Sequence, residues 1–423
     1  MSATLILIAI ALLGAPLFLL FGAVALHSFS AASIDTSAIM IEFYRMASAP
    51  TLITIPLFTF AGYLMAESGT PRRLVNLSQA LFGWMPGGLA IVTIMACAFF
   101  TAFTGASGVT IIALGGLLYP ILMSEGYPDK FSLGLVTSCG SLGLLFPPSL
   151  PLILYGLIAN VNIDKLFIAG ILPGIVLVVA LSSYGIYWGH KAKVRKETFN
   201  GANIFKAFKE AIWEAPLPIL VLVGIYGGFI TASEAAAVTA LYVFIVEVFI
   251  YRDVKLFTDV PRIIKESMTL VGGILIILGV ALGMTNYIVD AQVPMHIFDW
   301  VSQYITSKVM FLVLLNIFLL IVGCLMDIFS ATIVVVPIIT PIALKYGVNP
   351  IHLAIIFLTN LEIGYLTPPV GLNLFLSSFR FNRSILELYR IAIPYLIILI
   401  ACLLIITYIP WLSLVLLDVF IPK

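Results

Sequence analysis

The chain has 423 residues, 62% of them hydrophobic and 10% charged, with a net charge of +1 and a mean hydropathy of +1.16. This composition excludes an ordinary soluble domain and gives no electrostatic case for nucleic acid or an acidic partner. The four cysteines (Cys97, Cys139, Cys324, Cys402) lie in apolar segments without ligand-like spacing, so neither a disulfide framework nor a zinc site is expected.

Apolar runs of about 20 residues, each able to cross roughly 30 Å of hydrocarbon, recur from end to end and predict an all-α integral membrane protein. Residues 3–30 are interrupted at Gly14-Ala15-Pro16 and form either one span or a short pair. No basic stretch precedes them, so no cleaved signal peptide is expected. A helix is predicted from about 48 to 67. Residues 71–83, of mixed polarity, are predicted to lie along the membrane surface. Two apolar arms, 87–103 and 109–123, flank Thr104-Gly105-Ala106-Ser107-Gly108. Each is short for a full span, which predicts a re-entrant helical hairpin (87–123) with its tip near the bilayer midplane.

The segment 131–159 is long enough to span but contains Thr137-Ser-Cys-Gly-Ser-Leu-Gly-Leu-Leu-Phe-Pro-Pro-Ser149. Each proline removes a backbone donor and frees a carbonyl, which is tolerated at membrane depth only beside protein or a polar cavity. A broken helix is therefore expected, followed by a helix over 166–189. The loop 190–215 is the most basic segment and by the positive-inside rule cytoplasmic, as is 251–265. Residues 216–250 hold two spans around Thr231-Ala-Ser-Glu234, with Glu234 expected to cap a helix. A helix running to about 290 and a surface helix at 294–305 follow. A second hairpin (307–345) is turned at Met326-Asp-Ile-Phe-Ser330, a second broken helix (351–379) contains Thr367-Pro-Pro369, and 385–412 crosses again.

The two halves repeat. Gly143, Pro147, Pro148, Pro120, Ile121, Gly126 and Pro173 recur 221 residues later as Gly364, Pro368, Pro369, Pro341, Ile342, Gly347 and Pro394. An odd number of crossings between the copies makes the repeat inverted. Paired broken helices in such a duplication point to a transporter binding site.

The re-entrant hairpin and Pro-Pro break, present twice, resemble the ion transporter superfamily of elevator-type carriers. Several passages are similar to the large membrane subunit of tripartite ATP-independent periplasmic (TRAP) transporters. They include Ile55-Pro-Leu-Phe58, Gly87-Gly-Leu-Ala90, Lys165-Leu-Phe-Ile-Ala-Gly-Ile-Leu-Pro-Gly174, Thr231-Ala-Ser-Glu-Ala-Ala-Ala237 and Thr367-Pro-Pro-Val-Gly371. The resemblance covers nearly the whole chain. It implies a non-enzymatic, sodium-coupled permease of a bacterial inner membrane, with Na⁺ as coupling ion and no other cofactor. It further implies uptake of an organic acid delivered by a periplasmic substrate-binding protein, with a small membrane subunit bound to the scaffold. At this length the small subunit is expected to be a separate polypeptide. Residues 1–68 and 216–290 would form the scaffold, and 87–189 and 307–423 the transport domain.

Hydroxyls and carbonyls freed by the breaks suit a hard cation. One Na⁺ site is expected at Ser107, Ser141, Phe146 and Pro147, with Thr137 and Ser138 nearby, and a second at Asp327, Thr359, Thr367 and Pro368. Helix starts after the tips and breaks would turn their N–H groups on an anion. The substrate carboxylate is therefore placed between Gly105–Gly108 and Ser330–Thr332, within reach of Ser149 and Asn373. Asp327 and Glu362 stand in apolar sequence and read as functional, set against capping for Asp327 and pairing with a scaffold residue for Glu362. Arg380 and Arg383 read as membrane-face anchors. The alternatives are an independent ion-coupled anion carrier, a channel, and an intramembrane serine protease suggested by Gly105-Ala-Ser-Gly108. The protease lacks a base, because His27, His190, His296 and His352 lie at or near segment ends.

Overall fold

A computed structural model describes residues 15–85, 87–194, 200–227 and 229–420, and every regular element among them is helical. The first half comprises α1 (Leu17–Ala31), α2 (Ser37–Ala47), α3 (Thr54–Glu67), α4 (Thr70–Phe82), α5 (Gly88–Thr104), α6 (Ser107–Ser124), α7 (Asp129–Cys139), α8 (Leu150–Ala159) and α9 (Ile163–Lys191). Then come α10 (Gly201–Glu210), α11 (Leu217–Tyr226), α12 (Ala232–Ile250), α13 (Asp259–Asp290) and α14 (Val293–Ser302). The chain ends with α15 (Lys308–Leu325), α16 (Ile328–Lys345), α17 (Pro350–Gly364), α18 (Leu372–Phe381), α19 (Ile385–Tyr408) and α20 (Trp411–Phe420). Seven helices among the described residues are long and apolar enough to cross a membrane, or nine if each of two bent pairs is one span.

The 221-residue offset governs the helices as well as the glycines and prolines. It carries the start of α6 at Ser107 onto the start of α16 at Ile328, and their ends, Ser124 and Lys345, onto each other. It also carries Thr104 onto Leu325, and Asp129 onto Pro350. Both Pro-Pro bonds, Pro147-Pro148 and Pro368-Pro369, are cis. Contacts repeat too. In each copy the arm before the tip (α5, α15) lies on its own broken segment, Leu142–Leu145 or α17. The arm after the tip crosses over: α6 lies on α18, and α16 lies on α8. Each copy thus closes around the break of the other.

Several limits differ from those expected. The helix predicted at 48–67 begins as a 3-10 turn at Pro50 and is preceded by α2, the two meeting at 64°. Pro50 has no N–H to give α2, so the axis turns there. The span expected at 385–412 is α19, which ends at Tyr408, and Pro410 separates it from α20. The segment 190–215, expected as a loop, contains α10, capped by the Asn200 side chain, which accepts from Ala202 N–H at 2.9 Å. Ala207 and Ala211 bury against Leu77 of α4. Likewise 251–265 is not all loop, because α13 starts at Asp259. Arm α6 has 18 residues, about 27 Å of helix, and is longer than the arm expected at 109–123. Glu234 caps α12 as expected, in a reciprocal box with Thr231. Of the uncertain segment 3–30, α1 covers 17–31, and residues 1–14 lie outside the described residues.

Candidate ion and substrate site

Gly105 makes the first tip possible. Its φ of +62° closes α5, and a Cβ there would stand 2.6 Å from Leu150 Cδ1. Around this tip the polar groups converge on the first break. Thr101 Oγ1 lies 2.7 Å from Thr110 Oγ1 and donates to Gly140 C=O at 2.9 Å. Asn373 Nδ2, from the second break, donates to Ser141 Oγ and to Thr137 C=O, both at 3.3 Å. Thr137 Oγ1 donates to Ser377 Oγ at 2.8 Å. The structure therefore brings Ser141, Thr137 and Asn373 together, with Ser107 one contact away from Gly140. All four are buried.

Two oxygens in this region, Ser138 Oγ and Asn373 Oδ1, are buried without a hydrogen-bond partner among the described residues. An unpaired buried oxygen costs about 1–3 kcal/mol. The donor set (hydroxyl, amide and main-chain oxygens, with no sulfur or imidazole) suits a hard cation. Sequence reading missed Thr101, Thr110 and Ser377. Their signal was spacing: Thr101 precedes Gly105 by one helical turn, and Ser377 follows Asn373 by one turn on the same face. The Phe146 and Pro147 side chains line an apolar cleft of about 260 Å³ with Met95, Phe103, Ile171 and Pro218. Only their carbonyls remain as possible ligands.

The second tip is built differently. Asp327 is exposed and caps α16, its Oδ1 accepting from Phe329 and Ser330 N–H at 3.0 Å each. Tyr365 Oη accepts the Ile328 N–H at 2.7 Å. The first three donors of α16, expected to face a substrate, are thus already satisfied, two by the aspartate one residue before the helix and one by Tyr365. Thr332 Oγ1 turns back to Ile328 C=O at 2.5 Å, Thr359 to Ile355 C=O at 2.7 Å, and Thr367 to Ile363 C=O at 3.1 Å. No hydrogen bond joins Thr359 to Asp327, Thr367 or Pro368 among the described residues. Pro368 follows Thr367 in the break, and Gly371 N–H closes it on Cys324 C=O at 3.1 Å.

Of the remaining substrate candidates, Ser149 donates to Leu144 C=O, Ser330 is buried in the first turn of α16, and Gly108 faces Leu376. Gly105 faces the Leu150 side chain. Glu362 is 1% exposed, and neither carboxylate oxygen has a hydrogen-bond partner, so the scaffold pairing weighed for it is not made among the described residues. Arg380 Nε donates to Ile112 C=O at 3.0 Å, and Arg383 pairs with Asp129 at 3.0 Å, both away from the breaks.

The DctM component of the tripartite ATP-independent periplasmic transporter matches residues 4–412. The chain belongs to this family. As a TRAP large permease it is a multi-pass membrane transporter component and not an enzyme, which removes the serine protease alternative. It is similar to the C4-dicarboxylate TRAP transporter large permease protein DctM of Pseudomonas aeruginosa, 37% identical over 93% of this chain and 92% of that one. It is also similar to the isethionate TRAP transporter permease protein DctMQ of Oleidesulfovibrio alaskensis, 37% identical over 94% of this chain. The match spans 63% of that longer relative. In fold this TRAP permease resembles the YdaH transporter of Alcanivorax borkumensis, with a TM-score of 0.58 at 13% identity, covering 88% of this chain and 87% of that one.

Proposed function

We propose that this permease takes up a small organic acid, first among them a C4-dicarboxylate, by sodium-coupled secondary transport across a bacterial inner membrane. A periplasmic binding protein delivers the substrate, and a small membrane subunit braces the scaffold. The observation that carries the reading is the polar seam between the two breaks. Oxygens from both copies meet there, and two of them lack partners among the described residues. Neither tip carries an Arg or Lys. With no cation in the tips, an anionic substrate needs compensation from bound Na⁺ and from the backbone of the breaks. We place one Na⁺ among Ser107, Ser141 and the Phe146–Pro147 carbonyls, and a second near Asp327, Thr367 and Pro368. The carboxylate lies beside Ser149 and Asn373.

An elevator motion is supported by the grouping of contacts. Helices α1, α2, α3 and α12–α13 lie chiefly on one another, and meet the rest through α3 against α4, α5 and α8, α12 against α11, and α13 against α14 and α16. In this reading the two inverted, re-entrant hairpins and the broken helices move as one body against that scaffold. Proteoliposomes containing the permease and its small partner, given binding protein and labelled C4-dicarboxylate, should accumulate label only under an inward Na⁺ gradient. Uptake that continues unchanged in sodium-free buffer overturns the coupling. Robust uptake by the chain alone overturns the tripartite assembly.

A further inference from the structure

A groove of about 790 Å³, apart from the breaks, lies where the start of α7, the end of α9 and the start of α19 come together. The end of α9 that forms one side of the groove leads into the basic segment beginning at Lys191. The aromatic floor is continuous. Phe131 has ring centroids of Tyr184, Trp188 and Tyr395 at 5.8, 5.7 and 6.2 Å, and Tyr184 meets Tyr395 edge-on at 5.3 Å.

The charges around this floor are unbalanced in a specific way. Both carboxylates of the groove are engaged by one cation, since Arg383 holds Asp129 at 3.0 Å and Glu387 at 3.6 Å. Lys130 and Arg390, which line the same groove, are exposed and have no ion pair or hydrogen bond among the described residues. Two uncompensated cations therefore stand over an aromatic bed at the end of three membrane helices. Aromatic side chains at this level favour the headgroup region, where one end is apolar and the other wet. Basic pockets between membrane helices on the positive face suit anionic lipid headgroups. The volume lies within the range of small-ligand pockets.

We propose that this groove binds an anionic phospholipid, its phosphate held by Lys130 and Arg390 and its first methylenes lying on Phe131, Tyr184 and Trp188. The phosphate alone could equally come from a soluble phosphate ester, and the acyl chain separates the two sources. Since α7 runs directly into the first break, the bound lipid would brace the entry to the site.

The test uses the full chain in a neutral detergent, with thermal unfolding and native mass spectrometry as readouts. Phosphatidylglycerol should raise the melting temperature by about 3 °C or more and remain bound in the spectrometer. Phosphatidylcholine with the same acyl chains should do neither, and nor should glycerol phosphate. In Lys130→Gln/Arg390→Gln the retained phosphatidylglycerol should fall at least about fivefold, while the melting temperature in phosphatidylcholine is unchanged. If the double variant does not fold, the charge-keeping pair Lys130→Arg/Arg390→Lys must retain the lipid and Arg390→Gln alone must lose it. Equal stabilisation by phosphatidylcholine, equal stabilisation by glycerol phosphate, or full lipid retention in the charge-removed variants overturns the proposal.

Discussion

Asn373 of the second break donates to the Ser141 hydroxyl of the first at 3.3 Å, joining the two copies of the repeat across 232 residues of chain. The same amide donates to the Thr137 carbonyl. One side chain therefore holds both broken helices in register. Replacing it by leucine should abolish uptake and leave Ser141 and Thr137 short of a donor, at a cost of about 1–3 kcal/mol. Transport assays and thermal unfolding on the same preparation check this. Normal uptake by Asn373→Leu would separate the seam from function.

Sodium affinity gives a finer probe of the same place. Removing one oxygen ligand should raise the Na⁺ concentration for half-maximal uptake about tenfold, corresponding to about 1.4 kcal/mol. Ser141→Ala is the variant to measure in proteoliposomes, with Ser107→Ala beside it. If both keep the parental sodium dependence, the first ion is not bound there.

Gly143 and Gly364, partners in the repeat, are both close-approach glycines. A Cβ on Gly143 would sit 2.2 Å from Ala98 C=O, and one on Gly364 would sit 2.5 Å from the Gly323 carbonyl carbon. These neighbours are backbone and cannot rotate away. Alanine at either position should destabilise by about 1–3 kcal/mol through forced separation of arm and break, seen as a lower melting temperature. Alanine at Gly126, where nothing lies within 4 Å, lacks this steric term and strains only its φ of +91°.

On α4, Arg73 is held by three carboxylates, Glu214 at 2.5 Å, Glu247 at 3.0 Å and Asp253 at 2.6 Å, and lies 3.8 Å from the centre of the Tyr251 ring. Burial lifts the Glu214 carboxyl above its usual range, and Arg73, by charge and hydrogen bond, pulls it part of the way back. A carboxyl raised on folding adds stability that is complete below its unfolded value of about 4.5 and is lost as pH rises through the folded value. Arg73→Gln removes the opposing pull. The variant should therefore lose about 3 kcal/mol near neutral pH and recover most of it towards pH 5. Melting curves across that range check the sign, and a loss independent of pH would contradict it.

How much of this was legible in the sequence follows from the physics of each signal. The membrane class, the duplication, both breaks and the paired arms were written in composition, Gly and Pro, because backbone that cannot complete a helix shows itself wherever it occurs. The hairpin limits then repeat in the 221-residue frame, Ser107 and Ser124 falling on Ile328 and Lys345. Which side chains meet across the frame was not written there. Ser141 finds Asn373, α16 rests on α8, and Asp327 spends one carboxylate oxygen on Phe329 and Ser330. The groove beside Lys130 and Arg390 depends likewise on helix ends brought together from positions 130, 188 and 390 of the chain. Local propensity and hydropathy act within a few residues, whereas pairings of this kind are settled only when the two copies close around each other and each buried polar group must find a partner from whatever the opposite copy presents.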